Sequence, residues 1–469
     1  MGKGKGKIIL ILLLGLVLRL VNLNQSFWLD EGAQLLMSQK SLGFIWSGRS
    51  ADFQPPFFYF LVHFWMMLSH SEIILRILPA LFGLATIYIV YLIGKKMFDE
   101  KIALLSSLFL AISPYHIYYS QELRMYSLLA FLGTLSIYFL LQKKWFFYTA
   151  SCILLIYTHY AGIFLLFSQA LWIAFRQRNS LKKYFFSSGM IFLFYLPWLP
   201  QFFKQLQSGG NLVKILPDWR NVANLDLFLA IPLTLDKFII GRITFDNKIF
   251  YLILSLLVFA GCFSLLHILL KKKSLERIFL LVWFIVPILT AIFVSLFIPQ
   301  YQPFRLLFTI VPFYLIISVA IFAFPKKFQI CLLAIIILFS FYGLGEYYFN
   351  ARFQREDWRG AVEFVEAQDS TESVALFEFS APFASYDWYS VNKVKAIGVL
   401  PGLSANQEFV DGVLPLAVEN RNRIFLFQYL QPLTDPKNLV DKWLTDHGFV
   451  QKKTNDFSGV GFVYEFNRI

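Results

Sequence analysis

Long apolar runs recur over most of the chain, and short polar or basic links separate them. A helix that crosses a membrane needs about 20 mostly apolar residues. The pattern therefore indicates a polytopic α-helical membrane protein. It predicts about eleven spans, some of them short, at residues 8–23, 74–94, 102–115, 125–141, 145–157, 161–175, 184–203, 249–270, 278–298, 306–324 and 328–344.

One further apolar stretch, PPFFYFLVHFWMML at residues 55–68, is short, begins with two prolines and is rich in aromatic residues. If it crossed the membrane, the basic loop 95–101 would lie outside the cell, against the usual distribution of positive charge. If it lies in the membrane interface, every basic loop falls inside. We therefore predict an interfacial helix, an N-terminus inside the cell and a C-terminus outside.

This topology places several polar segments on the outer side of the membrane. The acidic pair Asp30 and Glu31 belongs to a first outer loop at residues 24–73. We expect an active site at this surface, because four more segments and the C-terminal part are predicted to converge there: residues 113–124, 158–160, 201–247, 299–305 and everything after 347.

Beyond residue 350 charged residues return, and strand-like runs alternate with helix-like stretches. Strands are predicted at residues 374–379, 395–400, 424–429 and 461–466, and helices at 358–367 and 436–446. Asp357 is placed to cap the first of these helices. The alternation predicts a small extracytoplasmic α/β domain at residues 348–469, after a transmembrane domain at 1–347.

The composition supports this picture and excludes other classes. Hydrophobic residues make up 58% of the chain, charged residues 15%, and the mean hydropathy is +0.60, which excludes an ordinary soluble protein. The net charge of +13 does not indicate a nucleic-acid partner, because the basic residues cluster in short loops between apolar runs. No cluster has metal-ligand spacing and no cofactor motif appears, so neither a metal nor a cofactor is expected.

Asp30 and Glu31 are the first candidates for catalysis, since acidic residues beside a membrane are costly unless they have a partner or a function. One interpretation is structural: a carboxylate before the first turn stabilises a helix that starts near Gly32. The other is a general base that takes a proton from an acceptor hydroxyl. Both hold if Glu31 caps the helix while Asp30 reacts.

The polar link SPYHIYYSQELRMYS at residues 113–127 offers candidates for substrate binding. Each has a common alternative role, because interfacial tyrosines anchor helices and a terminal arginine often extends to the interface. A guanidinium group nevertheless suits a phosphate through its planar fork of donors. Arg124 is the first candidate for a lipid phosphate, Arg305 the second and Arg19 a weaker third. The other candidates in the link are His116, Tyr119, Gln121, Glu122 and Tyr126.

Three candidates lie elsewhere on the predicted outer side. His159 stands at a helix junction, although a lone histidine is more often structural than functional. Asp52 and Gln54 precede Pro55 and are candidates for binding sugar hydroxyls; their alternative is a solvated turn.

Several motifs occur in order along the chain: WLDEG, QPPFFYF, RILPALFG, SPYHIYYSQELRMY, YTHY and YLPWLP. Together they resemble the bacterial family 39 glycosyltransferases, relatives of the dolichyl-phosphate-mannose protein mannosyltransferases and of the lipid A aminoarabinose transferase. These enzymes share the integral-membrane GT-C fold. The resemblance covers residues up to about 200, and PFRLLFTIVPFYL and REDWRGAVEFVE are similar to later family segments.

The resemblance implies an enzyme that takes its sugar from a polyprenyl phosphate in the outer leaflet. Asp30 matches the first acid of the family's acidic pair, where the catalytic base is expected, and Glu31 matches the second. Gln121, Glu122 and Arg124 match the polar link that faces the family's site. Gln54 stands where many members have His or Lys, and Phe304-Arg305 replaces their Arg-Tyr pair.

The leading hypothesis is an inverting glycosyltransferase of the plasma membrane. It would transfer sugar from the lipid to an extracytoplasmic lipid, glycan or protein, as in synthesis of lipopolysaccharide or another cell-envelope glycan. The alternative is a transporter of lipid-linked saccharides, for which polar groups at mid-span and repeat-related broken helices are expected. A membrane receptor that binds through its C-terminal domain is a third possibility.

Overall fold

The computed structural model describes residues 3–48, 53–215, 220, 224–271, 274–368, 371–400 and 404–469. Its contacts divide the chain into two compact units. We call the first the helical unit; it comprises Met1–Leu23, Leu42–Leu206 and Ala223–Phe353. We call the second the α/β unit; it comprises Asn24–Ser41, Gln207–Val222 and Gln354–Ile469. The predicted domain ranges, 1–347 and 348–469, stay predictions.

Each of the predicted spans overlaps a helix. In chain order the helices up to residue 349 are α1 (Lys3–Leu20), α2 (Leu29–Ser38), α3 (Leu42–Trp46), α4 (Phe57–Trp65), α5 (Glu72–Met97), α6 (Glu100–Ile112), α7 (Pro114–Ser120), α8 (Tyr126–Gln142), α9 (Trp145–Thr158), α10 (Gly162–Arg176), α11 (Leu181–Tyr195), α12 (Leu199–Ile215), α13 (Ala230–Ile240), α14 (Lys248–Lys271), α15 (Leu275–Ser295), α16 (Ile310–Ile321) and α17 (Lys326–Phe349). Short 3₁₀ helices occupy Arg178–Ser180, Leu196–Trp198, Pro303–Thr309 and Ala351–Phe353.

Several of these helices suit a membrane by length and composition. Among the described residues, five are long and apolar enough to cross it: α5, α14, α15, the run Pro303–Ile321 and α17. Helices α6 and α7 also qualify as one span that is bent by 62°, and α8, α9 and α10 are shorter apolar helices. The prediction of a multi-pass membrane protein is confirmed, whereas the number of spans and their orientation stay predictions.

The bend after Ile112 has a local cause. Ser113 adopts an extended conformation and its hydroxyl accepts a hydrogen bond from the His116 N–H at 3.4 Å, so it caps a new helix. Pro114 occupies the first turn, where its missing N–H costs nothing. The predicted span 102–115 therefore ends early, and the start of the polar link is helical.

The prediction of a long loop at residues 201–247 is wrong in part. Most of α12 and all of α13 lie in it. In α13 the buried side chains Ala230, Leu235 and Phe238 recur at helical spacing. The run is too short to signal a membrane span, which is why its helix was not expected.

The α/β unit contains α2, a five-stranded sheet and further helices. The strands are β1 (Ser373–Phe377), β2 (Lys395–Gly398), β3 (Arg423–Phe427), β4 (Phe449–Phe457) and β5 (Gly461–Arg468), in the order β2-β1-β3-β5-β4. Strand β1 pairs in parallel with β2 and β3, and β5 pairs antiparallel with β3 and β4. The helices are α18 (Trp358–Glu366), α19 (Ala384–Tyr389), α20 (Gln407–Ala417), α21 (Gln431–Thr434) and α22 (Leu439–Asp446). The predicted α/β class is confirmed.

Helices cover both faces of this sheet. Successive side chains of a strand point to opposite faces, so Val374 and Leu376 pack with α20 and α22, whereas Ala375 and Phe377 pack with α18 and α19. The central strands are therefore apolar on both faces. The sequence pattern does not reveal β4, FVQKKTNDF, because this edge strand is mostly polar and exposed.

Two carboxyl groups are buried in the α/β unit beyond the ends of the parallel strands. Glu378 directly follows β1 and is 2% exposed, and Asp435 follows α21 and is 0% exposed. Asp435 accepts a hydrogen bond from the Val440 N–H at 2.9 Å. Burial, and after it the neighbouring Asp435 carboxylate, together raise the pKa of Glu378 to about 9. Glu378 therefore holds a proton at neutral pH.

This proton makes stability depend on pH. The folded state keeps it up to about pH 9, whereas the unfolded chain releases it near its ordinary value of 4.5, so stability falls as pH rises through that window. The limiting slope is about 1.4 kcal/mol per pH unit. We expect E378Q to flatten the fall in Tm of the solubilised protein between pH 5 and 9. D446N, which changes an exposed acid of the same unit, should keep the wild-type slope; an unchanged slope in E378Q would contradict the assignment.

Candidate active site

The acidic pair lies in the first turn of α2, within the α/β unit. Helix α2 begins at Leu29, and its N-cap is Trp28, which forms no side-chain cap hydrogen bond within the described chain. The expectation that Glu31 caps a helix starting near Gly32 is therefore wrong: the start is earlier, and both acids lie inside the first turn, where the helix dipole favours them. Glu31 is 0% exposed, whereas Asp30 is only partly buried.

Helix α2 packs closely on α19 of the same unit. An added Cβ at Gly32 would lie 2.6 Å from the Ser385 nitrogen, so the close approach requires glycine. The Phe27 N–H donates to the Tyr389 hydroxyl at 2.7 Å, and the two rings stack with centroids 6.3 Å apart. The acidic helix is thus held on a rigid element rather than on a free loop.

In the helical unit, the polar link is fastened to α1 through His116 and Arg19, both fully buried. Arg19 donates from Nη1 to the Gly15 and Ala111 carbonyls at 2.8 and 3.2 Å, and Nη2 lies 2.7 Å from His116 Nδ1. A guanidinium can only donate, so Nδ1 accepts and the imidazole proton is on Nε2. Arg19 Nη1 and Nη2 therefore donate to groups of the protein itself.

Gln121 also binds the end of α1. Its Nε2 donates to the carbonyls of Arg19 and Val21 at 3.1 and 2.6 Å. The last carbonyls of a helix have no partner inside the helix, and a buried end must find one elsewhere. The contacts of Gln121 thus fix the link against the first helix.

Aromatic rings bring four of the sequence candidates together. The Tyr119 and Tyr126 rings lie 5.4 Å apart and both contact Phe304, at 5.5 and 4.8 Å. The His159 ring lies 6.1 Å from that of Tyr126. Arg305, next to Phe304, donates to the Gln300 carbonyl at 2.8 Å. Segments distant in sequence thus converge on one cluster within the helical unit.

Glu122 and Arg124 form the turn that closes the polar link. They are 1% and 3% exposed, and the Arg124 N–H donates to the Glu122 carbonyl at 2.7 Å. Charged side chains are seldom buried unless they are paired or functional. Both residues therefore remain candidates for contact with an ionic substrate.

Gln54 and His159 take part in main-chain contacts. The Gln54 carbonyl accepts from Gln205 Nε2 at 3.4 Å, and Gln205 Oε1 accepts from the Tyr160 hydroxyl at 2.5 Å. His159 Nδ1 accepts from the Ala161 N–H at 3.0 Å, at the start of α10. Asp52 lies outside the described residues, so its assignment stays a prediction.

Sequence reasoning missed Arg242, the residue after α13 and Gly241. Its Nη1 donates to the Tyr118 hydroxyl at 2.5 Å, and its guanidinium lies 4.6 Å from the centre of that ring. The signal was one of five cations in the segment 201–247, which is weak. Across the described ranges, no group of three metal-ligating side chains is close enough to hold a metal ion, and the expected absence of a metal stays a prediction.

Known glycosyltransferases resemble this chain in part of its sequence and in its fold. The family model described as dolichyl-phosphate-mannose-protein mannosyltransferase (PMT) matches residues 53–200. Apo ArnT from Cupriavidus metallidurans superposes with a TM-score of 0.62 at 13% identity, over 99% of this chain and 98% of that one. The oligosaccharyltransferase of Archaeoglobus fulgidus gives 0.55 at 13% identity, over 98% of this chain and 72% of that one. No curated protein sequence matches.

The chain has the GT-C fold of these membrane glycosyltransferases, and its residues 53–200 match the PMT family model. The fold class that the resemblance from WLDEG through YLPWLP implied is therefore confirmed, whereas glycosyltransferase activity is a matter for proposal. The matched residues, 53–200, include the polar link and His159 but not the acidic pair. The roles of the individual site residues stay predictions.

The packing of the polar link on α5 depends on one glycine. An added Cβ at Gly83 would lie 2.2 Å from Ser120 Oγ and 3.1 Å from Arg19 Nε. We expect G83A to destabilise the protein by about 1–3 kcal/mol through overpacking, which a lower Tm and a lower transfer rate would report. In the matched control G261A, the added Cβ meets nothing within 4 Å among the described residues. Equal Tm values for the two variants would contradict the role of Gly83.

Proposed function

We propose that this chain is an inverting glycosyltransferase that moves a sugar from a polyprenyl phosphate to an extracytoplasmic acceptor hydroxyl. The observation that supports it best is the pair of acids on one braced helix: Glu31 is fully buried, while Asp30 is only partly buried. The fold supports the donor class, because ArnT bound to undecaprenyl phosphate superposes with a TM-score of 0.62 at 14% identity, over 98% of each chain.

In the proposed reaction Asp30 acts as general base. It removes the proton of the acceptor hydroxyl, and the oxygen attacks the anomeric carbon of the donor sugar. The bond from that carbon to the phosphate oxygen breaks, and the phosphate leaves with the electron pair. Because attack comes from the face opposite the leaving group, the anomeric configuration inverts. A phosphate needs little protonation to leave, so one carboxylate suffices where glycosidases use two.

The leaving phosphate gains negative charge and requires cations nearby. Arg124 and Arg305 are our candidates, because a guanidinium binds phosphate oxygens through a fork of donors. Tyr119 and Tyr126 contact Phe304, next to Arg305, and His159 contacts Tyr126; we assign these three side chains to the sugar-phosphate end of the donor. Gln121 and His116 hold the polar link in place through their contacts with α1.

The proposed site faces the outside of the plasma membrane, where nucleotide donors are absent and a lipid must carry the activated sugar. The placement of the basic loops supports this orientation. The partners are then the lipid-linked sugar, the surrounding lipids and an acceptor of the cell envelope that is a glycan, a lipid or a protein.

We expect D30N to lower the transfer rate by about 10²–10⁴-fold, the usual contribution of a general base. The assay uses the purified protein in proteoliposomes, undecaprenyl-phosphate-linked hexoses and pentoses as donors, and cell-envelope extracts as acceptors. D411N, which changes an exposed acid of the same unit, should transfer at the wild-type rate. Full activity of D30N would remove Asp30 as the base. Movement of the lipid-linked sugar across the vesicle without glycosylated product would favour the transporter alternative.

A further inference from the structure

Among the described residues, the N-terminus of α2 receives no side-chain cap from its own N-cap residue. The first N–H groups of a helix have no partner within the helix and are usually satisfied by the N-cap side chain. Trp28 occupies that position and forms no side-chain cap hydrogen bond within the described chain. The acidic helix must therefore obtain an acceptor from elsewhere.

Glu356 supplies this acceptor. Its Oε2 accepts from the Leu29 N–H at 3.2 Å, and Leu29 is the first residue of α2, directly before Asp30. The same oxygen accepts from Trp358 Nε1 at 2.7 Å, and Oε1 accepts from the Tyr429 hydroxyl at 2.9 Å. The carboxylate is thus held from two sides while it caps a helix 327 residues away in sequence.

The residues directly before α2 also form hydrogen bonds with the residues around Glu356. Gln25 Oε1 accepts from the Arg355 N–H at 2.8 Å, and the Asn24 carbonyl accepts from Arg359 Nη2 at 2.8 Å. The Ser26 hydroxyl donates to the Glu356 carbonyl and accepts from the Trp358 N–H at 3.0 Å. Several hydrogen bonds therefore join residues 24–29 to residues 355–359.

The surroundings of Glu356 suit a fixed carboxylate. Gly459, at φ +74°, brings a turn against it: an added Cβ there would lie 3.0 Å from the Glu356 Cα and Cγ atoms. Burial raises the pKa of Glu356, its hydrogen bonds with Trp358, Tyr429 and the Leu29 N–H lower it, and the Asp30 carboxylate raises it. Asp30 is thus close enough to Glu356 for the two charges to interact.

We propose that Glu356 is a positioning residue for catalysis, holding the first turn of α2 and therefore Asp30 in its reactive orientation. The role rests on the proposed function, in which Asp30 is the base. Glu356 itself touches no reacting atom. A small displacement of a catalytic group costs as much as about 10²-fold in rate, so the α/β unit contributes directly to turnover.

The test compares variants of the full chain by kinetics and by hydrogen exchange of the peptide covering residues 24–35. E356A removes the acceptor, and E356M removes it while keeping the side-chain volume. E356Q keeps an oxygen for the Leu29 N–H, with its amide nitrogen facing the Tyr429 hydroxyl. Y429F breaks the bond between Tyr429 and Glu356 without touching Leu29.

We expect E356A and E356M to lower kcat about 10–100-fold with an unchanged donor KM, and to speed exchange at residues 24–35. E356Q and Y429F should stay within about threefold of wild type in kcat and exchange like it, given that neither disrupts the contact that positions Asp30. Unchanged exchange in E356M would overturn the proposal, as would an E356Q variant as slow as E356M. Failure of the proposed function is distinguishable, since it appears as an active D30N while the exchange results stand.

Discussion

A charged or polar group that leaves water must find a partner, and this constraint accounts for the key contacts of both units. In the helical unit, the fully buried Arg19 guanidinium joins α1 to α6 through the Ala111 carbonyl and to the polar link through His116. In the α/β unit, the Glu356 carboxylate gathers Leu29, Trp358 and Tyr429. Each ion has partners far away in the sequence, so each fixes a long-range contact that apolar packing alone would leave adjustable.

The contact between Glu356 and the start of α2 agrees with the division of the chain into two units. Residues 24–41 follow the first helix in sequence, yet they group with the C-terminal residues. The acidic helix is therefore a shared element: its sequence belongs to the first loop and its support to the last domain. A catalytic group held by packing and hydrogen bonds on a folded domain is better oriented than one on a free loop. In the proposed function, where Asp30 is the base, this arrangement gives the α/β unit a part in the reaction.

Features with a local signal were predictable from the sequence. The apolar runs marked the membrane helices, and Asp357 does cap α18, accepting from the Gly360 N–H at 3.1 Å. The buried strands β1 and β3 were visible because they are apolar on both faces. The edge strand β4 was not, since its exposed residues follow no apolar pattern. Helix α13 was missed because eleven residues are too few to signal a span.

The site was only partly predictable, for a physical reason. The contacts of Tyr119 and Tyr126 with Phe304, and of His159 with Tyr126, agree with the expected position of these segments on one side of the membrane. The start of α2, by contrast, depends on a carboxylate 327 residues away. No local pattern encodes such a partner, and Glu356 looks like an ordinary surface acid in the sequence. Long-range capping and the Arg242–Tyr118 contact are therefore beyond single-sequence reasoning.

The central claim is that Asp30 and an arginine-bound lipid phosphate act on the same sugar. An experimental structure of the full chain with undecaprenyl phosphate tests it most directly. The account predicts the phosphate within hydrogen-bond distance of Arg124 or Arg305, with the Asp30 carboxylate facing the space where the sugar would lie. A phosphate bound away from both arginines, or an Asp30 carboxylate turned away from it, would contradict the account.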